Sequence, residues 1–270
     1  ASMFVDHIVR TFIKEPVRML DLCAAPGGKS TALRAALPEG SVLFSNEPMR
    51  TRAQILSENL QKFGHEDVIV TNNYPRDYRK AGIMFDVILA DVPCSGEGMF
   101  RKDDGARAEW NQQNVDNCWQ LQREIVSDIW KCLQPGGLLI YSTCTFNAHE
   151  DEENVEWIAS ELGADIIKLP VEESWDITPA GVGNAPVGRF LPGISRSEGL
   201  FVAVLRKHGE SETTALNASA ANSKPKKERK NQRKQTAQGG KQQAPDTMQA
   251  LCSPDNFVAR RNSDTIIAIP

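Results

Sequence analysis

Five residues in separated parts of this 270-residue chain have the chemistry to share one site: Lys29, Glu47, Asp91, Cys94 and Cys144. Asp91-Val92-Pro93-Cys94 puts a carboxylate and a thiol at the end of an apolar run, and Cys144 sits in Thr143-Cys144-Thr145 at the end of another. A lone cysteine is most often a small buried apolar residue, and Cys118 and Cys132, inside a helical pattern, are read that way. Two cysteines in loops at the same predicted edge are a weaker case for burial. The chemistry that suits the set is methylation of cytosine at C5. That carbon is too poor a nucleophile until a thiolate adds at C6, and a group such as Asp91 at N3 can stabilise the charge that develops. A free thiol has a pKa of about 8.5, so the site must lower it or deprotonate it.

Val17 to Ser30 reads as the cradle for a cofactor. Apolar Val17, Met19, Leu20 and Leu22 form a buried strand, and Cys23-Ala24-Ala25-Pro26-Gly27-Gly28 turns into a helix from Lys29 to Leu37. Glycine lets backbone approach a ligand, and a helix start offers unpaired N–H groups. A phosphate-binding loop, G-x-x-x-x-G-K-[ST], competes for this stretch. Gly28-Lys29-Ser30 fit it, but Cys23 stands where its first glycine belongs. The other reading is a methyltransferase, with Asp21 to Lys29 lining S-adenosylmethionine. Glu47 follows the next strand, about 20 residues past the turn, where an acid accepts hydrogen bonds from a ribose diol. Thr71-Asn72-Asn73 follows the third strand, either as an adenine contact or as an Asx turn.

The elements that must position these residues alternate. A helix is expected over Ser2–Ile13. Strands are expected at 17–22, 41–45, 67–71, 85–90, 138–142 and 199–206. Helices are expected at 29–37, 48–64, 115–133 and 150–162, with Pro135-Gly136-Gly137 as a break and 164–192 irregular. Alternation of this kind implies an α/β fold with a mostly parallel sheet covered on both faces. Ligands then sit at the carboxyl ends of the strands, where Lys29, Glu47, Asp91, Cys94 and Cys144 fall.

Composition narrows the classes. At 40% hydrophobic residues the chain can build a large core, and no apolar run reaches the ~18 residues of a membrane span. Six cysteines with no C-x-x-C pair argue for reduced thiols in a cytoplasmic protein and against a zinc site; no metal is expected. Residues 223–241 hold eight Lys/Arg and one Glu. Without them, 23 basic and 34 acidic residues remain, a net of −11. Any grip on RNA therefore comes from local basic patches or from this segment. Residues 1–207 are expected to form the catalytic domain and 208–246 a basic disordered linker. Residues 247–270, which regain apolar character, are expected to begin a C-terminal RNA-binding module.

The motifs D-L-C-A-A-P-G-G-K-S, D-V-P-C-S-G-E-G-M-F-R-K and Y-S-T-C-T-F-N-A-H-E-D-E-E-N-V, in this order, resemble the Sun (Nop/Fmu) family of RNA cytosine-5 methyltransferases on its bacterial rRNA, RsmF-type branch. The resemblance covers about Ala1 to Arg206. It implies a Rossmann-like, S-adenosylmethionine-dependent methyltransferase fold with a seven-stranded sheet. It implies Cys144 as nucleophile, Cys94 assisting product release, and Asp91 and Lys29 at the catalytic site. It places Cys23, Ala24, Ala25, Pro26, Gly27, Gly28, Lys29, Glu47 and Asp91 around the cofactor. Where many members carry Asp after the third strand, this chain has Asn72, Asn73 and Tyr74, and Asn73 is taken for that contact. The family's usual RNA-binding region before the catalytic domain is expected to be absent. The implied substrate is small-subunit rRNA, within a ribosomal subunit; the oligomeric state is not legible in the sequence, and a monomer in the cytoplasm, without membrane or metal, is the expectation. A tRNA substrate, a non-enzymatic ribosome-assembly factor, a P-loop NTPase and a DNA methyltransferase using Cys94 stay open as alternatives.

Overall fold

The central strand segments 87–90, 138–141 and 200–205 are apolar on both faces, so their sheet has to be covered on both. In the computed structural model, which describes residues 2–180, 183–195, 197–209, 258–262 and 265–269, this is what forms. The first compact unit spans 1–218 and carries one sheet. Strands β1 (Arg18–Asp21), β2 (Val42–Asn46), β3 (Val68–Thr71), β4 (Phe85–Asp91) and β5 (Leu133–Thr143) are joined in parallel, in the order β3-β2-β1-β4-β5. Strand β8 (Leu200–Lys207) then adds antiparallel to β5. Strands β6 (Ala164–Ile167) and β7 (Gly188–Phe190) pair antiparallel with successive parts of β8.

Alternate residues feed two cores. Leu20, Ile88, Leu139, Tyr141 and Phe201 face α6 (Gln112–Trp130) and α7 (Glu152–Leu162), which contribute Val126, Ile129, Val155 and Ile158. Met19, Leu43, Val87, Leu89, Ile140 and Val202 face α1 (Ser2–Phe12) and α2 (Gly28–Ala36). Helix α1 packs on the sheet through Phe4, Val5, Ile8 and Val9, as its apolar spacing predicts. Helix α3 (Arg50–Phe63) adds Leu56 and Leu60 against Ala24. The architecture is Rossmann-like α/β.

The structure departs from the sequence reading in four places. The sheet has eight strands rather than seven, and three of its pairings are antiparallel. The region 164–192 is not wholly irregular, because β6 and β7 lie in it; each has three or four residues and is held by β8. Short helices α4 (Pro75–Ala81) and α5 (Asp104–Glu109) were too brief to show a period. Pro135–Gly137 lies inside β5, where a register shift opposite Phe85–Val87 absorbs it. A Cβ at Gly137 would stand 2.8 Å from the Asp86 carbonyl oxygen, so glycine is needed there.

The second compact unit, 219–270, contains an antiparallel pair, β9 (Val258–Asn262) and β10 (Thr265–Ile269). The expected linker from residue 210 to 246 lies outside the described residues, as does Cys252. No helix among the described residues is long and apolar enough to cross a membrane.

Candidate active site at the carboxyl edge of the sheet

The loops after β1, β2, β4 and β5 meet because those strands are parallel neighbours, with Asp21 beside Leu89 and Asp91 beside Ser142. The loop after β1 is fixed from outside. Ala24 N donates to Asn46 O at 2.7 Å, Arg52 donates to Ala25 O at 3.1 Å, and Asn59 Nδ2 donates to Pro26 O at 2.8 Å. Gly27 takes φ +113°, a conformation that favours glycine, and caps α2. Gly28 follows with open space beside its Cα.

Two buried carboxylates border this cradle. Ser30 Oγ donates to Asp21 Oδ2 at 2.6 Å, while Asp21 Oδ1 is buried without a hydrogen bond. Burial pushes the Asp21 carboxyl up to about 7; the Ser30 hydrogen bond opposes this, the Asp91 charge adds to it and Lys29 opposes it. Glu47 Oε1 accepts from Met49 N at 3.0 Å. Its Oε2 lies 3.3 Å from the Arg52 guanidinium but makes no hydrogen bond, although the side chain is only 1% exposed. Buried acceptors left open in this way point to donors supplied by something else. The cradle and its open oxygens fit a nucleoside with a ribose diol. Cys23 is half-buried above the cradle, and burial with the charges of Asp91, Asp21 and Glu47 keeps its thiol protonated.

After β3, the two asparagines differ. Asn72 Nδ2 donates to the carbonyls of Glu47 (2.7 Å) and Pro48 (2.9 Å), so its side chain braces the β2 turn. Asn73 is anchored by its backbone, with its N–H on Asn46 Oδ1 and its carbonyl on Asn46 Nδ2, both 3.0 Å. Asn46 ties β1, β2 and this turn together, a role that sequence reasoning missed.

The catalytic candidates converge. Lys29 Nζ is 2.8 Å from Asp91 Oδ2, and Ser142 Oγ donates to Asp91 Oδ1 at 2.7 Å. Burial opposes the Lys29 charge, but Asp91, Asp21 and Cys144 outweigh it and raise the pKa. Cys94 Sγ and Cys144 Sγ lie 3.1 Å apart, and Cys144 N donates to Cys94 Sγ at 3.3 Å. Both are free thiols. The hydrogen bond between them, followed by burial, pushes Cys94 well up; accepting that bond, with Lys29 nearby, brings Cys144 down against its burial. Either sulfur can donate in this bond, and the neighbouring groups push Cys94 up and Cys144 down, which favours the thiol at Cys94 and the thiolate at Cys144.

The acids of the two thiol loops are where sequence reasoning fell short. Glu150, expected to open a helix, lies two residues before α7 and is fully buried. Its Oε2 accepts from Ser95 N (3.0 Å) and Gln122 Nε2 (2.7 Å), and its Oε1 from Asn147 Nδ2 (2.8 Å). Glu97 Oε2 accepts from Phe146 N at 2.7 Å and its Oε1 from the Trp110 indole at 3.1 Å. Gly98 N donates to Cys144 O at 2.7 Å. Arg189 holds Glu152 through bonds of 2.8 and 2.6 Å and donates to Phe146 O at 2.9 Å. The signal available in sequence was an acid between glycines in S-G-E-G and the polar run N-A-H-E. Cys132 is buried in the core, as a structural role requires; Cys118 is half-buried on α6, near enough to the thiol site that burial and the charges of Glu150 and Cys144 push its thiol up to about 11. Among the described residues no group of acids, histidines and cysteines could hold a metal.

The family model for 16S rRNA methyltransferase RsmB/F matches residues 13–206. Ribosomal RNA small subunit methyltransferase F of Serratia proteamaculans (strain 568) is 36% identical over 197 residues, covering 72% of this chain and 41% of the relative. The protein of the same name from Pectobacterium atrosepticum is 37% identical over 199 residues, covering 72% of this chain and 40% of its own. Among solved structures, the crystal structure of NSun6 from Pyrococcus horikoshii with SFG superposes with a TM-score of 0.68 at 28% identity. It covers 77% of this chain and 52% of that one. The chain spans about two-fifths of the length of the curated relatives it matches.

Proposed function

The chain belongs to the 16S rRNA methyltransferase RsmB/F family, and we propose that it is the catalytic region of an S-adenosylmethionine-dependent RNA (cytosine-5) methyltransferase acting on small-subunit rRNA. The observation that carries this reading is the pair of thiols 3.1 Å apart beside the Lys29–Asp91 pair at the carboxyl edge of the sheet. A phosphate-binding role has no use for two thiols there.

S-adenosylmethionine, when bound, supplies an electrophilic methyl group. Cys23 to Lys29 line its site, Glu47 accepts from the ribose diol through its open oxygen, and Asn73 borders the adenine end. Cys144 is the nucleophile: its thiolate adds to C6 of a cytosine turned out of its stack, an extrusion that costs a few kcal/mol. Asp91, held by Lys29 and Ser142, faces the base; as the thiolate adds, N3 takes up a proton passed through the Asp91 carboxyl from the Lys29 ammonium, so no negative charge builds up on the ring. Addition makes C5 nucleophilic, so C5 takes the methyl group; a water then takes the C5 proton, N3 returns its proton, and the freed electron pair restores the C5–C6 double bond as the C6–sulfur bond breaks. Cys94 keeps its proton against Cys144 Sγ and stabilises the thiolate as it departs. Residues 247–270 are assigned to an RNA-binding module, and the basic segment before them to the RNA backbone.

Covalent trapping tests this. With S-adenosylmethionine and RNA carrying 5-fluorocytidine, C5 has no proton to lose and the adduct persists on a denaturing gel. Parent protein and Cys94→Ala should give the adduct with small-subunit rRNA but not with tRNA, and Cys144→Ala should give none. Loss with Cys94→Ala alone would instead point to Cys94 as the nucleophile.

A further inference from the structure

We infer that Glu150 is a positioning residue that holds the two thiols in contact and so gives them different roles. This rests on the reading of Cys144 as nucleophile. Glu150 touches neither sulfur, yet its carboxylate grips both loops. It takes Ser95 N, the peptide immediately after Cys94, and Gln122 Nε2, which also donates to Pro93 O at 2.8 Å immediately before Cys94. Cys94 is thus pinned on both sides through one carboxylate oxygen. The other oxygen takes Asn147 Nδ2, three residues past Cys144. The same Asn147 amide donates to Thr145 Oγ1 at 2.9 Å, and its Oδ1 accepts from Glu150 N at 2.9 Å.

All three groups on the Glu150 side chain are donors, so the site requires an acceptor at both oxygens. Glutamine has the same shape but brings one N–H₂ group. In either orientation it sets donor against donor, at Asn147 or at Ser95 and Gln122, in a fully buried place. Turning Asn147 round would lose its bonds to Thr145 and to Glu150 N. Gln122 is held as well, since its Oε1 accepts from Asn154 Nδ2 at 2.8 Å. Relief has to come from the loops: Asn147 keeps its bond from Glu150 N, whereas Ser95 N and Gln122 Nε2 meet Glu150 only at Oε2, so the Cys94 loop is the one that moves.

Two opposite outcomes separate positioning from bulk charge. The charged and titratable groups near the thiols are Lys29, Asp91, Glu150 and the Cys118 thiol of α6. Removing the Glu150 charge alone would make both thiols more acidic. Pulling Cys94 away removes the donor from Cys144 and makes Cys144 less acidic. The experiment is alkylation of full-chain parent and Glu150→Gln protein with iodoacetamide across pH, reading Cys144 and Cys94 separately by peptide mass spectrometry. This readout needs no RNA or cofactor, so it stands apart from failure of the methyl-transfer reading, which trapping on the parent protein reports. The expected result is a Cys144 midpoint about one pH unit higher in Glu150→Gln, a tenfold loss of thiolate below it, with Cys94 alkylated faster. With RNA, the turnover number should fall by a similar factor at unchanged KM, and the loss should shrink as pH rises. A Cys144 midpoint that stays or moves down overturns the proposal. A lower melting temperature with both thiol profiles unmoved would reduce Glu150 to scaffold, and also overturns it.

Discussion

Cys144 and Cys94 are the same residue in different surroundings, and those surroundings push the two thiols in opposite directions. Asp21 shows the same dependence on neighbours. Asp21 takes up a proton more readily folded than unfolded, its pKa moving from the ordinary 3.8 to about 7. The protonated Asp21 carboxyl therefore contributes stability fully present below about pH 4, and that contribution is lost as pH rises through about 7, up to about 4 kcal/mol. Asp21→Asn should flatten this stretch of the stability curve. Chemical denaturation of both proteins from pH 4 to 8, without cofactor, checks it, and parallel curves would refute it. For Glu47→Ala the expected outcome is cofactor binding weakened by about 2 kcal/mol, roughly thirtyfold, with the fold intact. Titration calorimetry reads it, and unchanged affinity would remove Glu47 from the ribose. The acids at the strand ends could be picked out in sequence because they follow apolar runs. The open oxygens could not, since each depends on partners such as Ser30 and Met49 taking one oxygen and leaving the other.

At the scale of elements, the loop after β4 works by lying on the loop after β5. Gly98 is where they touch. A Cβ there would come within 2.5 Å of Cys144 O and 3.0 Å of Gly199 Cα, both backbone atoms that cannot turn away. Gly98→Ala should therefore separate the thiol loops while leaving the sheet whole. The expected reading is a covalent adduct formed at least about fivefold more slowly, with an unchanged far-ultraviolet circular dichroism spectrum, the cost of one clash being about 1–3 kcal/mol. An adduct formed at the parent rate would show that the loops tolerate the methyl group. Helix α7 belongs to the same argument. Its acidic start reads from sequence as a response to the helix dipole, but Glu152 is instead paired with the buried Arg189 of β7, a strand too short to be seen in the pattern.

Across the whole molecule, charge is uneven: the eight cations of residues 223–241 sit in a chain whose remainder carries −11. Replacing those eight by glutamine should weaken binding to small-subunit rRNA and flatten its dependence on salt, since fewer counterions are released, while cofactor affinity stays the same. Filter binding between 50 and 200 mM salt, an interval chosen for its leverage on the slope, makes the comparison. An unaltered slope would assign the RNA contacts to the folded unit. The sequence by itself determined the α/β class, the parallel half of the sheet and the strand ends that carry Lys29, Glu47, Asp91, Cys94 and Cys144. Apolar runs and glycine turns are local, and a parallel sheet brings its loops to one edge whatever the detail. Only the tertiary structure decided that two sulfurs 50 residues apart lie 3.1 Å from each other, that β8 closes the sheet antiparallel with β6 and β7 on its far side, and that Glu150 faces inward. Those outcomes depend on which buried donors find which acceptors across the fold, and no spacing along the chain records that.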